Sequence, residues 1–439
     1  ITINVSNIIS GLAFGVGVGV AAGVAYYFLN GSKSSQNTGK RNKVDLDDDD
    51  DIPYSSRREF SPKRPTKSKR PATQTFARGS VDETGEPWDS WDKRNSVTVR
   101  VPATSANLGS GFDTIGIALD MWSEITVERA DEFSMTCEGE GAEHLQGLNE
   151  KNLVCVGVKT AFEYVGEELP PLKYTCRNRI PFGKGLGSSS AAIVGGLIAG
   201  LALCGKELKV FGNDSLYSGG VTAEPEELLQ LACKIEGHPD NVAPAIYGGI
   251  QLGIKMRNGK WRSSRVNCPA DLQMVAYIPN VVGVTAELRK VLKSKIPRQD
   301  AIFNIGRVAF LVNSLSQNKL YDLRYGTEDV LHQPPRASVY PYLYPLMNAA
   351  LSAGAHAVYL SGAGPTVLAI TSGAAGDTFT QHGSERMERA IADAMILAGQ
   401  KHCSKPGNVY ITRPVMQGAY IVKADPPFSK GVVRYPGFV

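Results

Sequence analysis

A two-domain α/β or α+β body, entered through an apolar helix and a long charged linker, is the architecture this 439-residue sequence predicts. Three observations carry the prediction. Residues 8–29, IISGLAFGVGVGVAAGVAYYFL, contain no charged side chain. Residues 33–75 hold only six apolar residues, Val44, Leu46, Ile52, Tyr54, Phe60 and Ala72. From Ser96 onward, short alternating runs and small-residue or amphipathic helical patterns follow one another for about 340 residues, the texture of a packed enzyme body.

The apolar run is 22 residues long, about 33 Å as a helix, enough for a bilayer core of roughly 30 Å. Tyr26, Tyr27 and Phe28 fall where an interfacial aromatic belt would lie, and Gly11, Gly15, Gly19 and Gly23 share one helical face. The same run also suits the apolar part of a targeting signal. Lys33, Lys40, Arg41 and Lys43 follow it, while residues 1–7 carry no charge, which places the body on the cytoplasm-like side of a membrane. Residues 30–95 read as a disordered tether. An acidic run from Asp47 to Asp51 and a basic, proline-bearing run from Arg57 to Pro71 leave too little apolar surface to offset chain entropy.

Within the body, Val97, Val99 and Val101 alternate with polar residues and predict a strand; Ile125 and Val127 predict another. Residues 189–204, SSAAIVGGLIAGLALC, are small and apolar at helical spacing and predict a buried helix. LQMVAYI (272–278) and HAVYL (356–360) predict inner strands, and residues 385–398 an amphipathic helix. Lys+Arg 47 against Asp+Glu 43 leaves a net charge of +4, which argues against a dedicated nucleic-acid binder. With 42% apolar and 21% charged residues the chain is not disordered as a whole. Seven cysteines without a CxxC pair predict thiols, not a disulfide framework or a zinc site.

Four loops concentrate the chemistry. Pro181-Phe-Gly-Lys-Gly-Leu-Gly-Ser-Ser-Ser-Ala191 places three alternating glycines and three serines ahead of the small-residue helix. Glycines let the backbone approach a ligand, and the first helical amides lack internal partners, so the segment predicts a phosphate cradle. It fits neither GxxxxGK[ST] nor GxGxxG. PATSANLGSGFD (102–113), EGHPDNVAP (236–244) and SGAGPT (361–366) are the other three.

In this order the four segments resemble the GHMP kinases, a superfamily including galactokinases, homoserine kinases and mevalonate kinases. The first and third are similar in detail to the homoserine kinase branch, which serves threonine synthesis. The resemblance spans about residues 96–424. It implies an α+β fold, with an N-terminal domain like ribosomal protein S5 domain 2 over residues 96–268 and a ferredoxin-like domain over residues 269–439. These follow the anchor helix of residues 1–29 and the linker of residues 30–95. It implies ATP and Mg²⁺ as cofactors and the side-chain hydroxyl of L-homoserine as phosphoryl acceptor. By that resemblance Pro181, Gly183, Lys184, Gly185, Leu186, Gly187, Ser188, Ser189 and Ser190 hold the nucleotide, and Ser189 and Glu236 the metal. The branch often carries its metal glutamate eight residues before the histidine, where this chain has Gln230; Glu236 is the better match. Asn107 and Asp113 would take the ammonium, His238 would line the substrate, and Arg289 and Arg336 would clamp the carboxylate. Asn241, Asp240 and Thr285 form the catalytic set, with Asn241 near the reacting hydroxyl and no general base assigned. An acid and two arginines suit an amino acid better than mevalonate or galactose. The expected partners are L-homoserine, a membrane through one span and a second copy in a homodimer, with no nucleic acid. Plastid stroma or cytoplasm, after removal of the N-terminal segment, is the alternative to a membrane tether.

Overall fold

A computed structural model describes residues 93–145, 147–206, 227–283, 285–373 and 387–427. The expected apolar helix and the linker up to residue 92 lie outside the described residues. Among the described residues, no helix is long and apolar enough to cross a membrane. Arg94, expected within the linker, is 1% exposed, and its backbone N–H bonds to the Leu203 carbonyl at 3.3 Å. The body therefore starts before Ser96, because ordering Arg94 satisfies a carbonyl at the end of a buried helix.

The first sheet has seven strands. Strands β1 (Ser96–Ala106), β2 (Ile115–Arg129), β3 (Ser134–Gly139) and β4 (Leu172–Asn178) lie in the order β1-β2-β4-β3. β5 (Ile250–Lys255) pairs with the start of β2, and β6 (Trp261–Val266) pairs with β5. The pairing of β3 with β4 is parallel and the others are antiparallel. β1 alternates between buried and half-buried residues as far as Arg100, and then every residue from Val101 to Ala106 is buried. The strand thus dives beneath the loops it feeds.

Two helices cover this sheet, α1 (Leu153–Val165) and α2 (Ser188–Leu203). α2 is apolar on all sides because it has the sheet on one side and α1 on the other. Gly196 makes that double contact possible: a β-carbon there would collide with the backbone of Val154 in α1. α3 (Glu227–Glu236) and α4 (Pro239–Tyr247) complete the layer.

The second sheet is antiparallel, in the order β10-β7-β9-β8, with β7 Gln273–Ile278, β8 Ala357–Leu360, β9 Val367–Thr371 and β10 Asn408–Thr412. Between β7 and β8 run α5 (Thr285–Lys290), α6 (Arg298–Ser316), α7 (Gln333–Ala337) and α8 (Leu343–Ser352), and between β9 and β10 runs α9 (Met387–His402). This order and succession are the split-βαβ, ferredoxin-like arrangement. β7, β8 and β9 read as largely apolar runs because both faces are covered, while the edge strand β10 is mostly exposed. Met274, Ala276, Leu368 and Ile370 join the core under the first sheet, while Val275, Tyr277, Val367 and Ala369 join a second core beneath α8 and α9.

One strand from the range expected for the C-terminal domain lies in the first sheet. The last described strand, β11 (Tyr420–Asp425), pairs antiparallel with β1 and takes the edge position in the first sheet.

Candidate active site

All four loops lie where β1 and β8 end and where α2 and α4 begin. At the glycine-serine loop, Gly187 is the N-cap of α2 at φ 72°, and Ala191 N–H bonds back to its carbonyl at 2.9 Å. The amides of Ser188, Ser189 and Ser190 then have no partner within the helix. No acidic residue occupies the first turn of α2. The result is a positive helix end lined by backbone donors, which suits phosphate. Gly185, at φ 76°, has no room for a side chain: a β-carbon would run into the Ser361 carbonyl and lie 2.8 Å from that of Gly364. Ser361 Oγ donates to the Gly185 carbonyl at 2.6 Å, so the SGAGPT loop supports the phosphate loop from behind. Leu186 is fully buried and anchors the bend.

Lys184 is turned to a different use from the one expected. Its Nζ donates to the carbonyls of Pro279 (2.9 Å) and Val281 (2.7 Å) just beyond β7. Burial lowers its pKa, and the two carbonyls offer it a neutral anchor. The lysine ties the loop to the second sheet, helped by Gly283 N–H donating to the Gly183 carbonyl at 2.8 Å.

At the first turn of α2, Ser189 Oγ (3.3 Å) and Ser190 Oγ (3.0 Å) both donate to Glu236 Oε1 at the end of α3. Gln230 is elsewhere: its side chain bonds both ways to the backbone of Trp261 in β6, at 2.8 and 2.7 Å. Hydroxyl and carboxylate oxygens are the donors a hard divalent cation takes. Ser189 is exposed and Ser190 buried, so Ser189 is the hydroxyl within a ligand's reach.

Opposite this loop lies a charged pocket. Asp113 follows β1 at φ 58° and forms a bidentate pair with Arg289 of α5, at 3.0 and 2.7 Å. Thr285 is the exposed first residue of that helix. Two guanidinium groups lie over the Phe112 ring, with Arg289 5.7 Å and Arg336 5.6 Å from its centroid. Arg336 is 2% exposed. Its Nη1 donates to the Gly362 carbonyl (3.0 Å) and to His332 Nδ1 (2.9 Å). Burial, and then repulsion from Arg289, pull its pKa down to about 10, so it keeps its charge at neutral pH. Its Nε is buried without a hydrogen-bond partner, a donor awaiting an acceptor.

Asn107 does not present its side chain to this pocket as expected. Its Nδ2 donates to the Gly362 carbonyl (2.9 Å), and its Oδ1 accepts from Asp113 N–H (3.0 Å). At φ 73° and 3% exposed, it positions Asp113 and joins two loops.

His238 and Asp240 stand at the start of α4, with His238 Nδ1 in a short hydrogen bond to Asp240 Oδ1. Burial opposes charge on the imidazole. The Asp240 carboxylate, with Glu236 beyond it, outweighs burial and lifts the His238 pKa to about 9. Asp113, His238 and Asp240 bring ligand-type atoms within 4.8 Å of one another, but an imidazolium and Arg289 already neutralise these carboxylates. Asn241, next in the helix, accepts at Oδ1 from Thr104 Oγ1 at 2.9 Å.

The structure therefore gathers both arginines, Asp113, His238, Asp240, Asn241, Glu236 and the phosphate loop around one cleft. Sequence reasoning passed over Thr104, Phe112, His332 and Ser361. Thr104, Phe112 and Ser361 lie inside segments it singled out, and their polar or aromatic character next to glycines was the available signal. His332, three residues before Pro335, carries no local signal; only its burial beneath Arg336 reveals it.

A helix start lined by backbone donors beside a cluster of Asp113, Arg289 and Arg336, on this pair of sheets, suits a small-molecule phosphotransferase of the GHMP kinase fold. Residues 152–249 match the family model for the GHMP kinases N terminal domain, and residues 313–391 that for GHMP kinases C terminal. A homoserine kinase from Caldanaerobacter subterraneus subsp. tengcongensis is 38% identical over 344 residues, covering 78% of this chain and 97% of the relative. One from Synechocystis sp. is 39% identical over 279 residues, 63% of this chain and 86% of the relative. The crystal structure of homoserine kinase from Cytophaga hutchinsonii superimposes with a TM-score of 0.62 at 27% identity, covering 75% of this chain and 98% of that one. The chain belongs to the homoserine kinase family of GHMP kinases.

Proposed function

We propose that the chain transfers the γ-phosphoryl group of ATP to the side-chain hydroxyl of L-homoserine. The observation that carries the substrate assignment is the pairing of Asp113 with Arg289 beside Phe112, with Arg336 buried against the same ring. One carboxylate and two guanidinium groups complement a zwitterion. The substrate ammonium takes Asp113 while its carboxylate takes Arg289 and the unpartnered Nε of Arg336, so binding opens the Asp113–Arg289 pair. Guanidinium groups suit this because their donors match two carboxylate oxygens.

Ser189 and Glu236 would hold Mg²⁺, which supplies charge neutralisation on the phosphates when bound. The amides at the start of α2 stabilise charge on the same oxygens. Asn241 holds the reacting hydroxyl, and imidazolium His238 with Asp240 forms the floor between hydroxyl and phosphate. Phosphoryl transfer asks mainly for alignment and charge stabilisation, and alignment contributes roughly 7–11 kcal/mol.

The test is a screen with γ-labelled ATP against homoserine, mevalonate, galactose and shikimate. Labelled product from homoserine alone is expected. Turnover of another alcohol with none from homoserine overturns the substrate assignment, and nucleotide binding without transfer overturns the kinase reading.

A further inference from the structure

We propose that Thr104, at the end of β1, is a positioning residue that sets Asn241 against the phosphate loop. The inference rests on the reading of the site above, in which Asn241 holds the alcohol. Thr104 is fully buried and touches both reacting halves. Its backbone N–H donates to the Leu186 carbonyl at 3.1 Å, in the middle of the phosphate loop. Its hydroxyl donates to Asn241 Oδ1 at 2.9 Å. The hydroxyl also fills the place a β-carbon on Gly187, the N-cap of α2, would need. Only glycine at 187 lets one threonine reach from the cradle to α4.

Two consequences follow from this geometry. An amide side chain can rotate end for end, exchanging acceptor for donor. With Oδ1 engaged by Thr104, the NH₂ end of half-buried Asn241 is the one presented to a ligand. The neighbouring residue acts on the opposite side of the strand: Ser105 Oγ bonds Ser361 Oγ at 2.7 Å, and Ser361 Oγ bonds the Gly185 carbonyl. Alternation along β1 thus sends Ser105 to brace the loop from behind and Thr104 to fix the acceptor side. In-line transfer is sensitive to displacements of about 1 Å. A threonine bonded to both partners fixes that spacing without touching substrate.

The experiment is a double-mutant cycle on the full-length chain with T104V, T104S, N241A and T104V/N241A. It measures kcat, KM for ATP and for homoserine, and phosphate released per phosphohomoserine formed. T104V keeps shape and removes the hydroxyl. It should lower kcat roughly 10- to 100-fold, as loss of a buried hydrogen bond predicts. Both KM values should stay within about threefold, and more ATP should be hydrolysed per product because the alcohol is no longer held against water. T104S should recover to within about threefold of wild type, and T104V should add less than about threefold in the N241A background. T104V within threefold of wild type, or an equal loss with and without Asn241, overturns the inference. If T104V fails to fold, T104A takes its place under the same criteria. If the wild type phosphorylates another alcohol, the substrate assignment fails, and the same cycle run on that alcohol decides the role of Thr104.

Discussion

The two walls of the cleft are made of different material. The proposed phosphate wall, residues 183–190, offers backbone amides held by glycine conformations, by Ser361 behind them and by the tie of Lys184 to the second sheet. The substrate wall works through long side chains from distant parts of the chain: Arg289 lies 176 residues from the Asp113 it pairs with. Backbone donors cannot rotate away, so the first wall is preorganised. In the second, Arg289 already pairs with Asp113, and under the proposed function it exchanges that partner when a zwitterion binds. Substitutions on the first wall should therefore damage chemistry, and on the second, mainly affinity.

The largest effect should come from Gly185→Ala. The β-carbon collides with main-chain oxygens of Ser361 and Gly364, and the residue needs positive φ. Neither can yield without moving a loop. We expect kcat/KM for ATP to fall by about a thousandfold and the melting temperature to drop. Normal ATP kinetics in this variant would show that the wall is plastic and break the comparison. Glu236→Gln comes next: it keeps shape and removes the charge beside Ser189, and kcat should fall by about 100-fold with KM for homoserine little changed.

Arg289→Ala tests the opposite wall. Loss of a charge-assisted pair should raise KM for homoserine roughly 10- to 100-fold and leave KM for ATP unchanged. Arg289→Lys should recover only part of the loss, because an ammonium cannot reproduce the two-pronged contact. An unchanged KM for homoserine in Arg289→Ala would remove the arginine from the substrate wall.

The same contrast explains what could be read in the sequence. The phosphate wall is local: three glycines, three serines and a small-residue helix lie within residues 183–203, and the helix expected at 189–204 forms at Ser188–Leu203. The strands expected at 272–278 and 356–360 were equally legible, since covering both faces makes them continuous apolar runs, as in Gln273–Ile278. The substrate wall has no local pattern. Arg289 and Arg336 resemble any surface arginine until a family likeness marks them. No spacing rule could show Arg336 as 2% exposed or place both around Phe112. Lys184 and Asn107 misled for a related reason: each has the right chemistry for a ligand, but tertiary contacts offer it carbonyls first. The pairing of β11 with β1 joins opposite ends of the body, and nothing near Tyr420 announces it.

His238 stands where the two walls meet, and it gives the smallest and most diagnostic effect. Glu236 on the phosphate side raises its pKa and Arg289 on the substrate side lowers it; Asp240 carries the balance to about 9, against 6.5 for an ordinary histidine. A group whose pKa is higher folded than unfolded stabilises the fold fully below the unfolded value and loses that contribution as pH rises through the folded one. The stabilisation should be complete below about pH 6.5 and gone above about pH 9, a change of about 1–3 kcal/mol. Urea unfolding of the wild type and of His238→Gln across this range isolates it, because other titrating groups cancel in the difference. The difference should shrink steadily from pH 6.5 to 9. In an Arg289→Ala background the window should extend to higher pH, since one repelling charge is gone; in Glu236→Gln it should close earlier. Shifts in these opposite directions would place His238 under both walls at once, and a difference flat with pH would detach it from them.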